Sequence, residues 1–162
     1  MRRKDKQVNK PEEIEAILKK GSILRIALHD NPFPYLVPVN FGYADGRLYF
    51  HSACDGKKID LIKRDNRVCF QTESDFGLIR SDTPCHWSTR YASVIGFGRA
   101  HLIEDREEKK KGLETVFQHY SIDPFDVPEN SLGRIVVVRI EVDSMTGKVS
   151  PKPEASDQEG EA

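Results

Sequence analysis

The chain has 162 residues, 25 Lys and Arg against 26 Asp and Glu, and a net charge of −1. That length favours one domain with a real interior. The charge balance argues against a general nucleic-acid binder, which carries a clustered basic excess. No stretch is apolar for long enough to span a bilayer, so no membrane contact is expected. The start, Met1-Arg2-Arg3-Lys4-Asp5-Lys6, is basic but lacks the apolar centre of a signal peptide, so the expected location is cytoplasmic. Cys54, Cys69 and Cys85 are odd in number and widely spaced, without a CxxC pair. They read as reduced thiols, and neither a disulfide framework nor a metal site is expected.

Residues 1–8 are polar and are expected to fray. Asn9 and Glu12 have capping-box spacing, with Pro11 in the first turn. Ile14, Ile17 and Leu18 then mark one helical face, and Gly21 is a natural stop. Ser22 to His29 alternates like a strand with two different faces. Asp30-Asn31-Pro32-Phe33-Pro34 is a turn, and Tyr35 to Tyr43 reads as the next strand. Pro38 cannot donate to a ladder and marks an edge or a bulge. Asn40 shares its face.

Asp45-Gly46 is a tight-turn signal between two alternating runs, with Arg47 to His51 returning. Ser52 to Lys58 is a polar loop holding Gly56 and two adjacent lysines, opening onto a short helix from Lys57 to Arg64. Cations beside a helix N-terminus make a plausible phosphate cradle. Gly56-Lys57-Lys58 is not a Walker motif, because the upstream glycine and the Ser or Thr after lysine are missing. Arg67 to Thr72 is another strand. Ser74 to His86 lacks periodicity and reads as a long irregular stretch. Arg90 to Leu102 returns to strand, with Gly96 and Gly98 suggesting a bulge or close approach.

Asp105 and Glu108 form a second capping box, followed by Leu113, Val116, Phe117 and Tyr120 at helical spacing. Ser121 to Ser131 is a loop, Ile135 to Val142 a strand, and Met145 to Lys148 a turn away from it. From Pro151 the tail is acidic and expected to be disordered. The folded domain is thus 9–150, with disordered ends at 1–8 and 151–162. About six strands and three helices, without βαβ alternation, predict a mainly β fold: an antiparallel barrel with peripheral helices.

Several runs together resemble a known family: Pro38-Val39-Asn40-Phe41-Gly42-Tyr43, Leu48-Tyr49-Phe50-His51-Ser52-Ala53, Gly56-Lys57-Lys58, Tyr91-Ala92-Ser93-Val94-Ile95-Gly96-Phe97-Gly98 and Met145-Thr146-Gly147-Lys148. Their order and spacing resemble the pyridoxamine 5′-phosphate oxidase-like flavoproteins, and within them the nitroimidazole-resistance branch, over Asn9 to Lys148. The resemblance implies a six-stranded FMN-binding split barrel, working as a homodimer with FMN at the interface. It implies that Val39 and Asn40 run along the flavin, and that His51 and Ser52 lie near its ribityl-phosphate tail. Lys57 and Lys58 would hold the phosphate, and the segment from Tyr91 to Ser93 would approach the cofactor. The oxidase proper has Arg-Lys where this chain has Lys-Lys, which loses the bidentate fork but keeps the charge. Its C-terminal substrate residues have no counterpart after Lys148, which speaks against pyridoxal-phosphate synthesis.

The expected activity is FMN-dependent reduction of a small organic acceptor, such as a nitro-aromatic compound, with His51 as catalytic candidate through proton donation or substrate contact. The alternative is a non-catalytic FMN- or haem-binding sensor or carrier on the same barrel. A deazaflavin is a third possible occupant. Cys85-His86-Trp87 has no linked ligand spacing and reads as structural or as part of a substrate pocket.

Overall fold

The computed structural model describes residues 3–121 and 132–151. Its α-helices are α1 (Pro11–Lys20), α2 (Lys57–Arg64) and α3 (Arg106–Tyr120). Its strands are β1 (Gln7–Val8), β2 (Leu24–Leu28), β3 (Tyr35–Val39), β4 (Gly42–Ala44), β5 (Arg47–Ala53), β6 (Arg67–Ile79), β7 (Ser88–Ile103) and β8 (Ile135–Ser150). All pairings are antiparallel, in the order β3-β2-β6-β7-β8-β5-β4, with β1 on the flank of β8. The mainly β, helix-decorated barrel is therefore as expected.

The barrel is split between β3 and β4. These strands sit at opposite ends of the sheet order yet are joined by only Asn40 and Phe41. The sheet must therefore curl until its two ends meet, and the chain crosses the seam where a ladder would otherwise close it. Helix α3 covers the crossing. The Phe41 N–H donates to the Tyr120 hydroxyl at 2.9 Å, and that hydroxyl donates to the Ser22 carbonyl at 2.9 Å. Gly42 is required here: a Cβ would stand 2.2 Å from the Thr115 carbonyl oxygen on α3.

The inside of the barrel is apolar and closed, with Leu24, Ile26, Leu48, Phe50, Phe70 and Ile140 all fully buried. A smaller cluster under α3 joins Tyr49, Ile103, Leu113, Val116 and Val137. Helix α3 starts as the sequence predicts, with the Asp105 carboxylate accepting the Glu108 N–H at 2.8 Å. The Asp45-Gly46 turn also forms, with φ of 52° and 75°. At α1 the capping box does not form: Lys10 is the N-cap and no side chain bonds there.

Five expectations are corrected. The count of six strands becomes eight, because the short β1 and β4 pair with their neighbours. Residues 4–8 do not fray. They form a 3-10 turn and β1, because Gly147 offers no side chain and Val8 packs into that space. The single strand from Tyr35 to Tyr43 is two, interrupted at the seam. The first part of the stretch from Ser74 to His86 is strand: β6 continues to Ile79 through a bulge at Asp75-Phe76, paired with β7 from Ser88. Met145 to Lys148 does not turn away, since β8 stays paired with β7 as far as Ser150. The loop expected before Ser131 and the tail expected after Pro151 lie outside the described residues.

Candidate functional site

Among the described residues the strand β3 has one neighbour, β2, and its other side is an open edge. Pro38 marks this edge as predicted. Tyr35, at the start of β3, meets the N-terminus of α2: the Lys57 ammonium lies 5.0 Å from the Tyr35 ring centre. Val39 lies four residues further on, about 13 Å along the strand, with exposed Asn40 just beyond. Lys57, Lys58, Val39 and Asn40 therefore mark the two ends of one open edge, on the scale of a mononucleotide.

The α2 end of this edge is a cluster of cations. Gly56 is the N-cap at φ 111°, where a side chain would be strained, and a Cβ there would meet nothing within 4 Å. Gly56 thus leads into the N-terminus of α2, the end of a helix that favours anions.

The two lysines differ. Lys57 is exposed and paired with Asp30 at 2.8 Å, and Arg64 reaches the same carboxylate at 3.2 Å. The hydrogen bond from Lys57, with help from the Asn31 backbone and Arg64, holds the Asp30 carboxyl down at about 2. Lys58 is half-buried, 5.5 Å from the Phe50 ring centre, and among the described residues no carboxylate pairs with it. Burial lowers its pKa below the ordinary lysine value. It is a partly desolvated cation with its charge uncompensated.

His51 and Ser52 end β5 beside this cluster, both half-buried. Successive strand residues face opposite ways. Ser52 therefore shares the face of Phe50, which lines the barrel, while His51 shares that of Tyr49, under α3. The His51 ring tilts against Phe117 at 6.3 Å. Its Nδ1 is buried without a hydrogen-bond partner among the described residues. Burial, and secondarily the charge of Lys58, lower its pKa below the usual histidine range.

Tyr91 and Ser93 do not join this group. Both lie half-buried on the outer face of β7, where Ser93 opposes Glu73 and Lys148, and the Lys148 ammonium lies 5.3 Å from the Tyr91 ring. His51 opposes Val137, which opposes Ile103. Ser93 is ten positions from Ile103, about 33 Å along β7. It is also three strands from β3, about 14 Å across the sheet. One chain does not bring the predicted residues into a single site.

Sequence reasoning missed Asp30, Tyr35 and Phe117. Asp30 and Tyr35 flank the prolines of the β2–β3 turn, a signal for a turn but not for its neighbours. Phe117 was read as core from its helical spacing, and it does pack beside the α3 cluster while also facing His51. A separate cleft of about 420 Å³ opens on the outer face beside Arg67, Cys69, Phe97 and Arg99, and no predicted residue lines it. Its arginines already have acids: Arg67 with Asp65 at 2.7 Å and Arg99 with Asp143 at 3.9 Å. Cys85 and His86 sit exposed in the connection between β6 and β7, and among the described residues no group of His, Cys, Asp and Glu could hold a metal.

Comparison with known proteins agrees with this fold. The family model for pyridoxamine 5′-phosphate oxidase matches residues 10–149. A candidate 5-nitroimidazole antibiotic resistance protein from Bacteroides thetaiotaomicron is 33% identical, over 88% of this chain and 86% of that one, with a TM-score of 0.79. The flavocytochrome Anf3 from Azotobacter vinelandii shares the fold at 20% identity and TM-score 0.77, over 94% of this chain and 73% of that one. An FAD- and haem-binding protein from Mycobacterium smegmatis does so at 18% and 0.79, over 94% and 77%. An uncharacterised protein from Rhizobium meliloti is 32% identical over 60 residues, 37% of this chain and 39% of that protein's length. Among the described residues no helix is long and apolar enough to cross a membrane. The chain belongs to the pyridoxamine 5′-phosphate oxidase family, on its nitroimidazole-resistance branch.

Proposed function

We propose that the chain is an FMN-binding flavoprotein that reduces a small organic acceptor, such as a nitro-aromatic compound, and that it works as a homodimer. The observation that carries this reading is Lys58: a half-buried cation without a carboxylate partner among the described residues, at a helix N-terminus, at one end of an open strand edge. A phosphate monoester supplies the missing charge. In this reading the first N–H groups of α2 and Lys58 bind the phosphate, and Lys57 assists once it is drawn from Asp30. The edge of β3 towards Val39 and Asn40 then orients the ring system. FMN, when bound, supplies the electron transfer, and the chain supplies position and electrostatics.

The same geometry supports the dimer reading. If Tyr91 and Ser93 also contact the cofactor, as in the family resemblance, a second copy must bring them, because one chain holds them too far from Lys58. The outer sheet face that carries them also exposes Ile95 and Phe97 on β7 and Leu36 on β3. Apolar side chains of this size on one face suit an interface.

The test is an absorbance spectrum of the purified protein followed by FMN titration of wild type, Lys57→Ala and Lys58→Ala. The expected loss is about 10- to 100-fold for Lys58→Ala, from a charged hydrogen bond of roughly 1.5–3 kcal/mol. Lys57→Ala should lose only a few fold, because its charge is already shared with Asp30. No affinity for FMN in wild type would overturn the flavin reading. A haem band with no turnover would move the function to the sensor or carrier class, which the names of the Azotobacter and Mycobacterium proteins also bring to mind.

A further inference from the structure

We propose that His51 takes up a proton when a phosphate monoester binds beside it, so that cofactor binding is coupled to protonation of this one ring. The inference rests on the anion site proposed at the start of α2, and it adds a role that the phosphate contact does not require.

The surroundings of the His51 ring, burial first and the charge of Lys58 second, disfavour its charged form. Its Nδ1 is buried with no partner among the described residues. The groups around it are few. From α2 the charged neighbour is Lys58. From α3 the Phe117 ring lies against it, and across the ladder on β8 stands Val137. The next row of the same face holds Tyr49, Arg139 and His101. There Arg139 is ion-paired to Glu108 of α3 and to Glu141, and His101 lies 3.7 Å from Glu141. No carboxylate among the described residues pairs with the His51 ring.

A bound phosphate changes that balance. At neutral pH a phosphate monoester carries roughly −1.5 to −2 charge. Set beside Lys58, it offsets the positive field that opposes a charge on His51. The ring then binds one proton from solvent, and the only bond formed is N–H on the imidazole. Two cations and a dianion remain near balance, and the proton returns to solvent when the ligand leaves. Linkage makes this reciprocal: if the ligand raises the affinity of His51 for a proton, a proton on His51 raises the affinity for the ligand.

The first readout is histidine proton NMR of the full chain with and without FMN. His51, assigned by its loss in His51→Gln, should titrate about one pH unit or more higher in the complex. The second is calorimetry of FMN binding in two buffers of different ionisation enthalpy, above about pH 7, where the ligand phosphate is mostly dianionic. Wild type should take up a measurable fraction of a proton per FMN, and its affinity should fall as the pH rises. His51→Gln should show less uptake and a flatter affinity profile, with a thermal melt confirming its fold. Equal uptake in the variant would overturn the inference and assign the proton to Lys58. Inorganic phosphate serves as a second probe. If FMN fails to bind while phosphate still raises the titration of His51, the flavin reading falls and the coupling stands. If neither ligand moves His51, the coupling is overturned.

Discussion

Two regions of this barrel are built in opposite ways. Strands β6, β7 and β8 form long, nearly uninterrupted ladders, and β7 is paired on both sides from Ala92 to Arg99. Among the described residues, the β3 edge and the start of α2 have one ladder of five residue pairs, an open side, a cation lacking a carboxylate and a histidine with an unpartnered nitrogen. The first region satisfies its own backbone on both sides of its central strand. The second leaves donors and charge unspent. The long ladders are thus concentrated in one part of the sheet, and the open backbone edge in the other.

The seam between β3 and β4 joins these regions, and the largest expected effect is there. Gly42→Ala would drive a methyl into the Thr115 carbonyl and push α3 away, costing about 3 kcal/mol. A thermal melt should fall by roughly 6–12 °C. An unchanged melt would mean that α3 is not needed to hold the seam. Tyr120→Phe is milder. It removes one hydroxyl that bonds both Phe41 and Ser22, and should cost about 1–2 kcal/mol. Amide exchange should then accelerate at Phe41 but not at Val94, which sits deep in the long ladder. Equal acceleration at both would erase the distinction between the two regions.

The smallest effect is a pH tilt. The pKa of His51 is lowered on folding, so its neutral form contributes stability that is present above its ordinary value of 6.5. That contribution is lost as the pH falls through the lower folded value. The ligand-free wild type should therefore lose more stability than His51→Gln between about pH 7 and pH 5. Parallel melting curves for the two proteins would show that the unpartnered nitrogen carries no cost.

Much of this was legible in the sequence where a residue answers to a local rule. Asp45-Gly46 makes its turn, Asp105 caps α3, and Pro38 sits on an edge, because backbone dihedrals and missing donors act within a few residues. The failures were non-local. Val8 is ordered because Gly147, far along the chain, leaves room for it. The stretch after Ser74 has little periodicity of its own and is strand because Ser88 to Arg90 pairs with it. At the site, the Gly56-Lys57-Lys58 run could be found, but nothing local distinguished the two lysines. Asp30 claims one of them from another turn. The separation of Ser93 from His51 is likewise a matter of register, which no single segment specifies.

Pro38 has one more consequence. An exposed strand edge invites a strand from another molecule, and Leu36 and Phe33 make this edge adhesive. A proline within a five-residue strand removes one backbone donor from the middle of that template. A neighbouring polypeptide cannot then extend the sheet with an unbroken set of hydrogen bonds, whereas a compact small molecule, which needs no such repeat, loses nothing. The same residue that keeps this edge open thus guards the chain against sheet-to-sheet aggregation.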